Sequence, residues 1–375
     1  MINFENRLKS LKMRRQGSRE RAIYESMESY DANSAVLKGI DVRKSEDYEK
    51  LKEPVGVQYA IGSMAPVDTK STETSINEGN RVADSLIRSL NNRGEDVIKR
   101  LQGSVALDIH IKGHSDVDML ILVNNPVNYE TPASSARNYA PSKDPRSLIQ
   151  IIKDVRNKSE VILPVNFPAT DVDCKGSKSI ALSGGSLARK VDVVPAIWFD
   201  SIKYQNSSDE SDRGVKIYHK ENHEFILNYP FIHIKKVNDR DRIYSGNLKC
   251  VVRLLKNMVA DMPENKKRVV KRLSSFDLAS VAYHMGDSLL MHSSMRLGLI
   301  EKTRSHLSSL LQSKAYRDLF FVPDESRKIF DNDNKVEALE ILTNECTDLA
   351  KAIFTELRPY LSQYDSNVIV NKAVV

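Results

Sequence analysis

At 375 residues, with 41% hydrophobic and 28% charged residues and a net charge of +6, the chain carries enough apolar material for two lobes rather than one core. Its apolar runs stop after a handful of residues and its opening, Met1-Ile2-Asn3-Phe4, lacks a hydrophobic leader, so a cytoplasmic protein without a membrane-spanning helix is expected. Cys174, Cys250 and Cys346 form no Cys-x-x-Cys pair, which excludes a zinc ribbon or a disulfide framework and predicts buried free thiols.

Phe4, Leu8, Leu11, Ile23 and Met27 recur at loosely helical spacing among basic residues, predicting one or two amphipathic helices within residues 1–30, interrupted near Gln16-Gly17-Ser18. Gly62-Ser63 reads as a turn. From Thr74 to Arg93 a helix is predicted: Val82, Leu86, Ile87 and Leu90 share a face, Ser75 or Asn77 can cap it, and Asn91 to Gly94 ends it. Strands follow over about 99–111, 117–123 and 186–194, the last stopped by Pro195. The proline- and serine-rich stretch 124–142 reads as a surface excursion, after which Asp144-Pro145 caps a helix carrying Leu148, Ile151, Ile152 and Val155. Polar residues 206–213 mark a loop or a lobe junction. Helices are predicted beyond it at about 245–262, 275–290, 295–316 and 335–363, and Val368 to Val375 reads as an unstructured end.

The chemistry concentrates in the front half. Gly103-Ser104 precedes Asp116-Val117-Asp118, which opens the apolar run Met119 to Val123; a third acid, Asp192, sits among valines. Alternation along a strand sends Asp116 and Asp118 to one face and Val117 to the core. Adjacent carboxylates repel unless a cation or proton neutralises them, and Mg²⁺ prefers such oxygens. A glycine permits close approach of backbone to phosphate and a serine hydroxyl donates to it. These are parts of a nucleotidyl-transfer site working through two metals. Asp171-Val172-Asp173 repeats the acid spacing with neither the Gly-Ser turn nor the apolar continuation. In the back half Lys249, Arg253 and Lys256 share one helix face as a basic stripe, followed by Ser274, Ser275 and Phe276.

Residues Leu101 to Asp118, with Lys190 to Pro195, resemble the bacterial cGAS/DncV-like nucleotidyltransferases, relatives of oligoadenylate synthase and animal cyclic GMP-AMP synthase. The likeness spans roughly residues 58–290. It implies an α+β fold: a DNA polymerase β-like nucleotidyltransferase core, with a twisted mixed sheet and helices, plus a C-terminal helical lobe. The expected divisions are an N-terminal helical segment over 1–57, the core over 58–213 and the helical lobe over 214–375. By the same resemblance Asp116, Asp118 and Asp192 are the catalytic metal ligands for two Mg²⁺ ions, with Mn²⁺ an alternative. Gly103 and Ser104 hold the donor triphosphate, and Lys256, Ser275 and Phe276 contact nucleotide phosphate and base. Phe276 stands where the animal enzyme has a tyrosine. No cysteine cluster supplies that enzyme's zinc thumb, so zinc-dependent DNA sensing is not expected.

The activity implied is synthesis of a cyclic di- or trinucleotide from NTPs, ATP or GTP, with release of pyrophosphate. The role implied is bacterial anti-phage (CBASS) signalling through a nucleotide-activated effector. The acids are equally consistent with an adenylyltransferase acting on a small molecule, protein or RNA end, or with a linear oligonucleotide synthase. A non-catalytic nucleotide- or RNA-binding module is the remaining reading.

Overall fold

The computed structural model describes residues 2–15, 45–111 and 115–374. In chain order the main elements are α1 (Phe4–Arg15), α2 (Val55–Met64), α3 (Thr69–Asn91), β1 (Val97–Gln102), β2 (Val117–Tyr129), α4 (Leu148–Asn166), β3 (Asp171–Asp173), β4 (Ile180–Ser183) and β5 (Val191–Asp200). Then come β6 (Gly214–His219), β7 (Glu224–Asn228), α5 (Pro230–Ile243), α6 (Asn247–Asp261), α7 (Glu264–Val270), α8 (Ser275–Tyr283), α9 (Leu299–Gln312) and α10 (Asp333–Leu357). They divide into a sheet unit (Asp68–Asp108 and Ser115–Asn238) and a helical unit (Met1–Val67, Ile109–His114 and Asp239–Val375). The second helix expected before residue 30 lies outside the described residues.

In the sheet unit, β1, β2, β5, β4 and β3 lie side by side, while β6 pairs with a later stretch of β5 and carries β7 at its edge. Among the described residues only β2 and β5 pair in parallel; the other strand pairs are antiparallel. The sheet therefore continues past residue 213, where the helical lobe was expected to begin. Alternation gives β2 two buried faces. Val117, Met119, Ile121 and Val123 join Val82, Leu86 and Leu90 of α3 and Ile152 and Val155 of α4 in one core. Leu120 and Leu122 meet Val194, Ala196 and Trp198 in a second core on the opposite face.

Several local boundaries differ from those expected, each for a physical reason. The capping residue of α3 is Asp68, whose carboxylate accepts from Ser71 N at 2.8 Å, so the helix starts five residues before Thr74. Ser147, not Asp144-Pro145, caps α4, because Asp144 is engaged by Arg146 at 2.8 Å. β1 ends at Gln102, and the predicted strand 99–111 instead turns into the one-turn helix Gly103–Ala106. The supposed excursion after 123 begins as strand: β2 runs on to Tyr129, with a register shift between Val123 and Asn128. Pro195 does not stop β5. It falls between the residues that pair with β4 (191–193) and those that pair with β6 (196–199). A residue without an N–H is tolerated where the strand changes partners.

The helical unit buries polar groups as well as apolar ones. Arg14 of α1, Tyr59 of α2 and Asp261 at the end of α6 meet in a nearly dry cluster, with Arg14 Nη2 at 2.7 Å and the Tyr59 hydroxyl at 2.8 Å from the Asp261 carboxylate. Burial, then the Asp261 charge, holds the Tyr59 phenol well above its ordinary range. Gly62-Ser63 is no turn but the buried last part of α2, packed on Tyr48 and bonded to Asn257 through Ser63 O at 2.9 Å. Of the three thiols, Cys250 and Cys346 are buried and Cys174 half-buried. Residues 366–374 are ordered: Ser366–Val370 is helical, Ile369 is fully buried, and Val374 N donates to Ser294 O at 2.7 Å. Among the described residues no helix is long and apolar enough to cross a membrane.

Candidate active site

The parallel register of β2 and β5 determines where the acids lie. Asp118 pairs with Asp192, and the next pairs on the same face are Leu120 with Val194 and Leu122 with Ala196. Neighbouring strands stand ~4.8 Å apart, so the paired carboxylates emerge side by side at the start of both strands, where the second core gives way to solvent. Asp116, two residues before Asp118, projects on that face as well. The three distant acids thus share one end of the sheet, and Asp118 is flanked on its other side by Gln102 of β1.

Gly103 follows Gln102 directly with φ +75°, a left-handed conformation that favours glycine. A Cβ there would collide with the Asp118 carboxylate, so the turn approaches the acid as closely as backbone can. Ser104 is the next residue of that turn and is half-buried. The decoy pair Asp171 and Asp173 sits on β3 at the far edge of the sheet, and both are exposed.

A fourth residue enters that the acid pattern did not single out. Lys190, on the same face as Asp192 by alternation, directs Nζ to Asp116 Oδ2 at 2.5 Å and lies 3.5 Å from Asp192 Oδ1. Burial pulls the Lys190 ammonium down, but the Asp116 bond and the charges of Asp192 and Asp116 outweigh it, and the net shift is upward. Burial likewise pushes the Asp192 carboxyl up, opposed by Lys190 and reinforced by Asp116. The signal for Lys190 was present in sequence as its i, i+2 spacing from Asp192.

Does this end of the sheet suit divalent cations? Asp192 Oδ1 is buried with no close hydrogen bond, its ion-pair partner being Lys190 Nζ at 3.5 Å, so a cation that approached more closely would satisfy it better. The donor set is all carboxylate, the chemistry Mg²⁺ and Mn²⁺ favour. Among the described residues no group of three or more His, Cys, Asp or Glu side chains is arranged to hold a metal ion, these three acids included, and the cation between Asp116 and Asp192 is Lys190. The carboxylate chemistry suits a divalent cation, while Lys190 occupies the place between Asp116 and Asp192.

The helical-unit candidates are arranged differently from a solvent-facing basic stripe. Lys256 is buried and donates to Ile109 O at 3.0 Å, and Arg253 is buried and donates to Met64 O at 2.8 Å. Lys249 remains near Asp241. Ser274 caps α8, leaving Ser275 exposed as its first residue, and Phe276 half-buried with the Arg327 guanidinium 5.6 Å from its ring centre. These residues belong to the helical unit, and the three acids to the sheet unit.

Comparison with known proteins gives a consistent result. The cGAS/DncV-like nucleotidyltransferase C-terminal helical domain matches residues 235–351. The chain is 34% identical to the cyclic dinucleotide synthase CdnE of Yersinia aleksiciae over 94% of this chain and 92% of that protein. It is 25% identical to a c-di-GMP synthase of a Flavobacteriaceae species over 87% of this chain and 92% of that one. Its fold is similar to the structure of a STING-associated CdnE c-di-GMP synthase from Capnocytophaga granulosa, with TM-score 0.69, 25% identity and coverage of 96% of this chain and 100% of that one.

Proposed function

The chain belongs to the bacterial cGAS/DncV-like nucleotidyltransferases, a family that makes cyclic oligonucleotides with the help of divalent metal ions, and we propose that it joins two nucleoside triphosphates into a cyclic dinucleotide. ATP and GTP are the substrates of this reading, and pyrophosphate leaves at each bond formed. The observation that carries it is the in-register pairing of Asp118 with Asp192 at the start of β2 and β5, beside Gly103.

Asp116, Asp118 and Asp192 are the residues that would hold a pair of Mg²⁺ ions. When bound, such ions steady the phosphates and leaving pyrophosphate and acidify the attacking ribose hydroxyl. The chain's own part is to hold carboxylate oxygens at a rigid strand end, where the apolar pairs beneath them prevent the acids from spreading apart. Gly103 lets backbone approach a donor phosphate, and the Ser104 hydroxyl donates to one of its oxygens. Lys256, Ser275 and Phe276 remain in this reading as nucleotide-contacting residues of the helical unit. Two of the similar solved structures are STING-associated synthases, which supports a role in anti-phage (CBASS) signalling through a nucleotide-activated effector.

Incubating the purified chain with the four NTPs and Mg²⁺, then separating products by mass spectrometry, tests the proposal. The expected result is pyrophosphate release with a dinucleotide lacking any terminal phosphate, abolished by chelating the metal. A product that keeps a 5′-triphosphate, or release only when another acceptor is supplied, overturns the cyclic assignment in favour of a linear synthase or an adenylyltransferase.

A further inference from the structure

The register that pairs Asp118 with Asp192 continues outward by one residue on each strand. Val117 pairs with Val191, and Val117 N donates to Lys190 O at 3.0 Å, fixing the Lys190 backbone beside Asp116. Alternation then sends the Lys190 side chain to the acids' face. Its Nζ sits at the same two carboxylates a divalent cation would need, 2.5 Å from Asp116 and 3.5 Å from the otherwise unpartnered Asp192 Oδ1. The side chains differ in their freedom. Lys190 is 41% exposed and Asp116 38%, whereas Asp192 is only 19% exposed. The ammonium can therefore withdraw into solvent on its flexible stem, while Asp192 stays where β5 holds it.

We propose that Lys190 is a built-in counter-ion that competes with the divalent cation for Asp116 and Asp192, so that metal enters together with the nucleotide instead of resting on the empty enzyme. An ammonium and a divalent cation on the same oxygens repel each other, so one displaces the other. A triphosphate changes the balance, because its oxygens give the displaced ammonium a new charged partner as the metal arrives. The device keeps Asp116 and Asp192 compensated between turnovers and makes metal affinity depend on substrate. The inference rests on the metal-dependent reading of the three acids.

Manganese binding to the full chain, followed by the paramagnetic resonance of free Mn²⁺, tests it without any turnover. Without nucleotide, Lys190→Met binds Mn²⁺ about tenfold more tightly than wild type, the size expected for removing one competing charge. Lys190→Gln, which keeps a donor but no charge, shows the same gain, and Lys190→Arg shows none. With a non-hydrolysable nucleoside triphosphate present, wild-type affinity rises towards that of Lys190→Met. If Asp192→Asn abolishes Mn²⁺ binding yet Lys190→Met and Lys190→Gln bind no more tightly than wild type, the counter-ion proposal falls while the metal site stands. If Mn²⁺ binding to Lys190→Met survives Asp192→Asn, the metal-site reading falls and the counter-ion proposal falls with it.

Discussion

An Asp118→Asn chain is expected to release pyrophosphate from NTPs at least ~1,000-fold more slowly than wild type, a loss of about 4 kcal/mol in transition-state stabilisation. The substitution changes one oxygen to nitrogen and barely alters shape, so the core pairs beneath it, Leu120 with Val194 and Leu122 with Ala196, remain packed. What disappears is the negative charge between Gln102 and Asp192. Stability should move the other way. Asp118 lies opposite Asp192 in the strand register, so removing its charge takes away one like-charge neighbour and the melting temperature stays level or rises. Activity and thermal melting on the same preparation check both halves. An acid retained only for structure would show the reverse, with a lower melting temperature and unchanged turnover.

Gly103→Ala is expected to lower kcat/KM by about 100-fold and to cost about 1–3 kcal/mol of stability. Two effects combine at this position. The backbone is left-handed, with φ +75°, and the new methyl group meets the Asp118 carboxylate. Either the carboxylate rotates out of its pairing with Asp192 or the turn carrying Ser104 moves off the acids, and each change misplaces reacting groups. Gly94→Ala separates the two effects. Gly94 has φ +80°, but a methyl there finds open space. It should lose comparable stability, read from urea unfolding, and keep its turnover. Equal turnover in the two variants would show that closeness to Asp118 is immaterial.

Much of the site was legible in the chain because its geometry is carried by local alternation. Asp116, Asp118 and the valines around Asp192 declare which face each side chain takes, and parallel pairing of the two strands does the rest. The same rule would have found Lys190. What local pattern did not carry is partnership between distant strands. Asn124 to Tyr129 has the composition of a loop, yet the pairing of Asn128 with Phe199 and of Tyr129 with Asp200 carries the strand across a register shift. Pro195 reads as a stop because its tolerance depends on β4 ending and β6 beginning around it. Arg253 and Lys256 read as a basic stripe because helix periodicity reports spacing, not the carbonyls of Met64 and Ile109 to which they donate. The order of residues 366–374 rests on the buried Ile369 and on Val374 bonded to Ser294, a contact no window of sequence contains.

The most direct measurement is the anomalous signal of manganese in crystals grown with Mn²⁺ and a non-hydrolysable nucleoside triphosphate. Manganese should appear bonded to carboxylate oxygens of Asp116, Asp118 and Asp192 at ~2.1 Å, with the Lys190 ammonium withdrawn from Asp116. Manganese held by phosphate alone, with Asp118 and Asp192 uncoordinated and Lys190 still on Asp116, would contradict the account.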